Sequence, residues 1–402
     1  MFKSQERSAM KLLKACFDGV KLFKDERFEI DFQAKDRVMN LDDVFPVAPP
    51  VHTQKVVALA GINASGKTTV LKLLYMALNI LTQRPHILEG ITQFDIFSNK
   101  TTVTLYFYLD GDFFKLESQL QIGNSSGDSA LLSAGSVKYH YVEERLWSKK
   151  ARPATKKDAL LFRDTDLRAV RSQLPDEVKR FVSDTTSIAI AVLSDEIPEV
   201  EQLISSLSSP NKVLFAGDTP PAIIQMFDPS VEYLINDHLA NSDTFSLKFK
   251  NSDSQVDVYG EQLSSMLSAG TIKGNNVMVR AIAVLQTGGY LIIDEIENHF
   301  NKKLVNIIIE MFMSEEYNPH GATLIFSTHY VEILDVISRK DNVYFLIRDD
   351  NYEVEVVNYS DRVSRVENKK SEVFASNFIK GTAPKFTEVR SFQNLLKKAL
   401  NA

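Results

Sequence analysis

Gly61, Gly66, Lys67 and Thr68 stand at the spacing G-x-x-x-x-G-K-[ST], in the stretch G-I-N-A-S-G-K-T, a spacing that suits the binding of a phosphate chain. A glycine turn lets successive backbone N–H groups face an anion, the lysine adds a point charge, and the threonine hydroxyl can hold Mg²⁺. Asn63, Ala64 and Ser65 within the loop, and Thr69 just after it, are candidate nucleotide contacts on the same ground. A second group of candidates lies far along the chain. Asp294 and Glu295 close the apolar run G-Y-L-I-I-D-E. At the tip of a buried strand, one carboxylate can hold the hydration shell of Mg²⁺ and the next can polarise an attacking water. His329 follows another apolar run, A-T-L-I-F-S-T, where an imidazole can donate a hydrogen bond to a terminal phosphate or to that water. Ser268, in L-S-A-G-T, can cap a helix, and its hydroxyl with the N–H groups around Gly270 forms another anion site. Two such sites in one chain are explained if each nucleotide is held by the loop of one subunit and the Ser268 helix of another. That arrangement predicts ATP-dependent self-association.

These residues need elements to carry them. Val56–Ala60 is an apolar run before the loop, and Val70, Leu71, Leu73, Leu74, Ala77 and Leu78 repeat at helical spacing after it, so strand, turn and helix follow in order. Residues 289–293 and 322–327 are predicted as buried strands, and residues 272–285 and 301–313 as helices. Residues 11–34 read as a hairpin around the charged turn Lys24, Asp25 and Glu26. Residues 101–109 and 114–122 alternate across the turn signal Asp110–Gly111, which predicts an antiparallel section, with a return strand at 138–142. Pro46, Pro49 and Pro50 make residues 40–53 a connector without lasting regular structure. Helix-like patterns at 158–183, 199–208 and 221–240 follow, and residues 186–193 fit either a buried strand or a buried helix. A strand pair is predicted at 244–250 and 255–259, a strand at 352–357, and helices at 370–380 and 387–400.

Composition narrows the class. With 402 residues, 44% of them hydrophobic, the chain can bury a sizeable core in one composite domain or two. Its net charge of −6 opposes a wholly basic nucleic-acid binder. The local cluster K-K-A-R-P-A-T-K-K at 149–157 is nevertheless suited to a phosphate backbone. No run reaches the roughly 18 apolar residues of a membrane span, and the first ten residues carry no apolar signal core, so a cytoplasmic protein without a membrane partner is predicted. The single cysteine, Cys16, lies in an apolar stretch and is expected to be a core thiol.

The loop, the L-S-A-G-T segment, the L-I-I-D-E strand and the S-T-H tip, in this order, resemble ATP-binding-cassette (ABC) ATPases of the SMC/RecF/OLD group. The resemblance implies an α/β head with a mixed central sheet, an antiparallel β section and a helical lid-like insertion. It divides the chain into an N-terminal lobe (11–148), a mainly helical insertion (149–240), a C-terminal lobe (241–350) and a terminal strand with helices (351–402). It further implies ATP and Mg²⁺ between two heads, Glu295 as hydrolytic base and His329 as switch histidine. A family glutamine after the first helix falls at Gln93, which becomes a further metal candidate. The signature departs from the transporter form L-S-G-G-Q at Ala269 and Thr271, and no sustained heptads mark a coiled-coil arm. Beyond Arg348 the acidic strand-end cluster of a metal-dependent nuclease is missing. Stand-alone ATPases similar to this chain occur in bacterial anti-phage systems beside a toxin or nuclease effector, which implies a switch controlling a separate partner. The alternative is a RecF-like ATPase that binds DNA in repair or recombination. No residue reads the base, so GTP stays open beside ATP.

Overall fold

β5 (Val56–Ala60) is buried at every residue and divides its side chains between two cores. Val57 and Leu59 enter one hydrophobic cluster, and Val56, Ala58 and Ala60 enter another, as the two-residue period of a strand requires. A strand buried on both faces belongs inside a covered sheet. In the computed structural model, which describes residues 10–82, 96–123, 138–180, 182–190, 198–204, 207, 220–236, 244–298, 300–349, 351–363, 369–376 and 386–400, that sheet has six strands. Their order is β10 (Val200–Leu203), β14 (Tyr290–Ile293), β15 (Thr323–Thr328), β5, β16 (Val343–Arg348) and β17 (Val354–Asn358). The first five are parallel and β17 is antiparallel to β16, so the sheet is mixed, as expected.

Helices cover both faces. α1 (Lys67–Thr82) contributes Val70, Leu73, Leu74 and Leu78 to the core that contains Val57 and Leu59. On the opposite face lies α3 (Ala269–Thr287), with Val277, Ala281 and Val284. Beside it α4 (Lys302–Met313) buries Val305, Ile308, Ile309 and Phe312. A second six-stranded sheet, antiparallel throughout, packs on the α1 side. It runs β2 (Arg27–Asp31), β1 (Lys11–Val20), β6 (Phe97–Leu109), β7 (Asp112–Gly123), β8 (Lys138–Lys150) and β9 (Leu167–Val170). A small third sheet, β11 (Val231–Asn236), β12 (Thr244–Phe249) and β13 (Val256–Tyr259), shares a core with α2 (Pro221–Phe227). That core includes Leu267 and Ile272, which bracket Ser268.

Polar ties cross the apolar layer between the two large sheets. Lys11 Nζ, 1% exposed, donates to the carbonyls of Gly288, His320 and Gly321 at 2.8, 2.7 and 2.8 Å. Burial lowers its pKa to about 7. Tyr290 Oη accepts the Leu12 N–H at 2.7 Å, and Tyr344 Oη exchanges hydrogen bonds with the Asp31 backbone at 2.9 and 3.0 Å. Cys16 is buried as expected, and burial pushes its thiol up to about 12.

Several local expectations are corrected. Residues 40–53 are not a bare connector: β3 (Val44–Ala48) and β4 (Val51–Gln54) form a two-stranded ribbon turning at Pro49 and Pro50. Pro46 is tolerated there because both strands of such a ribbon are edges. The described part of 149–240 is less helical than its sequence pattern. Residues 156–173 form short 3₁₀ turns and β9, the described α-helix lies at 176–179, at Ile190 and in α2, and 200–203 and 231–236 are strands. The apolar residues there complete sheets: Val200 and Leu203 are buried where β10 joins β14, and tertiary pairing overrides helical propensity. Residues 186–189 form bends and turns, Ile190 is helical, and 191–193 lie outside the described residues. At the C-terminal end, α5 spans Lys370–Ala375 and α6 spans Phe386–Leu400. No helix among the described residues is long and apolar enough to cross a membrane.

The basic cluster at 149–157 is largely committed to internal contacts. Lys149 Nζ donates to the carbonyls of Asp158 and Leu161 and lies 4.6 Å over the Phe162 ring. Lys150 pairs with Asp112 at 2.9 Å. Lys156 Nζ donates to the carbonyls of Ala34, Lys35 and Asp36. Removing a buried donor strands its acceptors, whereas an exposed ion pair contributes little. Lys11→Met is therefore expected to lower unfolding free energy by about 3 kcal/mol in chemical denaturation, and Lys150→Met by less than about 0.5 kcal/mol.

Candidate functional site

The loop from β5 to α1 demands its glycines. Gly66 has φ +93°, where a Cβ is strained, and a Cβ on Gly61 would meet Ser65 Oγ at 2.5 Å and the Leu346 carbonyl at 2.7 Å. Ala64 also holds a positive φ of 58°. Lys67 curls back over the loop, its Nζ donating to the Gly61 carbonyl at 2.8 Å and the Ile62 carbonyl at 3.0 Å, and lying 3.3 Å from His329 Nδ1. Burial lowers the Lys67 pKa to about 8, against the opposing pull of Asp294, Glu295 and Glu297.

Parallel pairing brings the distant acids to the same place. Ile293 of β14 lies opposite Phe326 of β15, and Thr328 of β15 opposite Ala60 of β5. The residues that follow these strands therefore converge. Asp294, 6% exposed, accepts the Thr68 hydroxyl on Oδ2 at 2.8 Å and the Ser327 hydroxyl on Oδ1 at 2.6 Å. Ser327 Oγ in turn accepts the Glu295 N–H at 2.8 Å. Glu295 has φ 48°. Its Oε1 lies 3.0 Å from His329 Nε2, and Asn298 Nδ2 donates to its Oε2. Burial alone would raise the Glu295 pKa, but the hydrogen bonds from His329 and Asn298, with the nearby charge of Lys67, bring it below the ordinary value. The partners assign the imidazole its tautomer: Nε2–H donates to Glu295, and Nδ1 faces the Lys67 ammonium.

Two further buried groups support this tip. The His329 N–H donates to Glu297 Oε1 at 2.6 Å. Lys273 of α3 donates to the Glu295 carbonyl at 3.0 Å, and burial lowers its pKa to about 8. Lys273, Glu297, Asn298 and Ser327 were missed in the sequence. Strand pairing, the turn after Asp294 and the packing of α3 bring them to the acids.

Together the loop, Glu295 and His329 line a cleft of about 340 Å³, to which Leu22 and Arg348 also contribute. Thr68 and Asp294 offer two hard oxygen donors. Among the described residues no cluster of three His, Cys, Asp or Glu could form a cage. Such a pair fits Mg²⁺, which keeps waters and takes substrate phosphate oxygens, rather than a fully protein-ligated metal. Ser268 caps α3, accepting the Thr271 N–H at 3.0 Å, but it is exposed, and neither it nor Gly270 lines this cleft. Gln93 lies outside the described residues.

A family model described as "AAA domain, putative AbiEii toxin, Type IV TA system" matches residues 56–335, a span holding the loop, Ser268, Asp294, Glu295 and His329. No curated protein matches the sequence. Among solved structures, the chain is similar to the SMC head domain from Thermotoga maritima, with 12% identity over 87% of this chain and 98% of that chain and a TM-score of 0.38. It is also similar to the recombination mediator protein RecF-ATPrS of the RecFOR pathway, with 11% identity over 87% of this chain and 99% of that chain and a TM-score of 0.36.

A polyanion at Lys67 needs the ammonium form, and a bound phosphate chain raises its pKa. With the free group at about 8, nucleotide binding takes up a proton above that pH. Affinity should fall as pH rises past 8, by at most about tenfold per unit. Titration calorimetry at pH 8.5 in two buffers of different ionisation enthalpy reads the proton uptake directly.

Proposed function

The chain belongs to the family described as "AAA domain, putative AbiEii toxin, Type IV TA system", and from that premise we propose that it is an ABC-type ATPase of the SMC/RecF group, a cytoplasmic switch that binds and hydrolyses ATP. The observation that carries this reading is the convergence of Thr68, Glu295 and His329 in one cleft, with the buried Asp294 bonded to Thr68 at 2.8 Å and His329 to Glu295 at 3.0 Å.

The N–H groups of residues 61–68 and Lys67 bind the phosphates, with the positive end of α1 behind them. Thr68 and Asp294 would hold Mg²⁺, which when bound would supply positive charge beside the phosphate oxygens. Glu295 orients a water and takes its proton, a role suited to a carboxylate that its neighbours keep ionised. His329 fixes the Glu295 carboxylate through Nε2 and steadies the lysine side of the site through Nδ1.

The exposed Ser268 cap, absent from its own chain's cleft, supports a shared site in which a second subunit places this helix end on the nucleotide. ATP binding then joins two heads and hydrolysis releases them. A separate effector protein, a toxin or a nuclease, reads the joined state. The family's toxin–antitoxin description supports such a two-component setting, and anti-phage defence is its proposed context.

Lys67→Ala is expected to abolish nucleotide binding. Glu295→Gln should keep binding, lower the hydrolysis rate by about 10²-fold or more, and accumulate an ATP-bound oligomer in sedimentation. Ser268→Arg should bind ATP as a monomer. Hydrolysis by Glu295→Gln at the wild-type rate would refute the base assignment.

A further inference from the structure

The strand order of the central sheet makes the cleft two-sided. On one side of β5, β14 and β15 deliver Asp294, Glu295 and His329. On the other side β16 ends in Arg348, next to β17. The tip between β1 and β2 reaches that second side. The Val354 N–H donates to the Leu22 carbonyl at 3.0 Å, and Phe23 forms a parallel bridge with Val354, so the backbone fixes Leu22 there. Leu22 and Arg348 line the same cleft as Lys67 and Glu295. Leu22 lies against the phosphate loop itself, since its Cδ2 is 3.3 Å from the position of a Cβ on Gly66. Arg348 is half-buried, and its Nε is buried without a hydrogen-bond partner among the described residues.

A phosphate chain already has the loop N–H groups, Lys67 and Thr68, and a leucine offers it nothing. An apolar side chain and a planar guanidinium lining one cleft instead suit the faces of a flat heteroaromatic ring, because arginine stacks on such rings and leucine covers apolar area. We propose that Leu22 and Arg348 receive the nucleobase of the bound nucleotide and hold it by its faces, at the end of the cleft away from Glu295. Neither side chain carries an acceptor for an exocyclic amino group, since a guanidinium only donates. The grip therefore reads ring area rather than the amino or keto edge, and accommodates adenine and guanine alike. This inference rests on the nucleotide reading of the loop.

Binding of ATP and of inorganic tripolyphosphate, each with Mg²⁺, separates the two ends of the site. Arg348→Ala is expected to weaken ATP by about tenfold and to leave tripolyphosphate within about twofold, which also shows that the variant is folded. Leu22→Ser should give the same asymmetry and serves if Arg348→Ala does not fold. Equal weakening of both ligands would assign Arg348 to the phosphates and overturn the proposal, as would ATP binding unchanged in both variants. Wild-type protein that binds neither ligand would instead overturn the nucleotide reading, and this inference with it.

Discussion

Asp294 is the point on which the site's geometry depends. It is a carboxylate almost wholly removed from water, and both of its oxygens accept hydroxyls, from Thr68 at the start of α1 and from Ser327 near the end of β15. A buried carboxylate without such donors would be costly. These two bonds lock the ends of three neighbouring parallel strands to one another. Glu295, the next residue, inherits its position from this lock: Ser327 holds its N–H, Lys273 holds its carbonyl, and its φ of 48° turns the side chain to meet His329.

The lock requires the sheet order. β14 and β15 must lie beside β5 for residues 294 and 327–329 to reach a loop more than two hundred positions earlier in the chain. Burial on both faces of these strands secures that order, because α1 and the antiparallel sheet cover one face and α3 and α4 the other. The antiparallel sheet also has a specific fixture. Lys11, Tyr290 and Tyr344 satisfy backbone groups across an otherwise apolar interface, where an unpaired carbonyl or N–H would be expensive. A sheet held in that register places the β1–β2 tip over the phosphate loop, where Leu22 enters the cleft.

Charge follows the same logic of commitment. The basic run at 149–157 reads in sequence as a surface for a nucleic-acid backbone. Folded, Lys149 and Lys156 close turns by donating to carbonyls, and Lys150 pairs with Asp112. Clustering of lysines along the chain says nothing about which of them the fold will use as internal donors.

The phosphate loop, the L-I-I-D-E run and the S-T-H tip were legible because each is local: spacing and periodicity within a dozen residues specify a strand, a turn and the chemistry at its end. The same holds for the Ser268 cap of α3 and the hairpin at Asp110–Gly111. The ribbon at 44–54 and the strands at 167–170 and 200–203 were not legible, because their structure comes from partners elsewhere that complete a ladder. Ser327, Lys273, Leu22 and Arg348 stayed hidden for a related reason. Nothing near them in sequence carries a signal, and their place at the cleft follows from strand register, helix packing and a hairpin tip bound to β17. The sequence by itself determined which groups can meet a phosphate chain, since residue type and local spacing are sufficient for that. Tertiary structure alone decided which of them converge, because long-range pairing and the burial of two sheet faces set the distances between them.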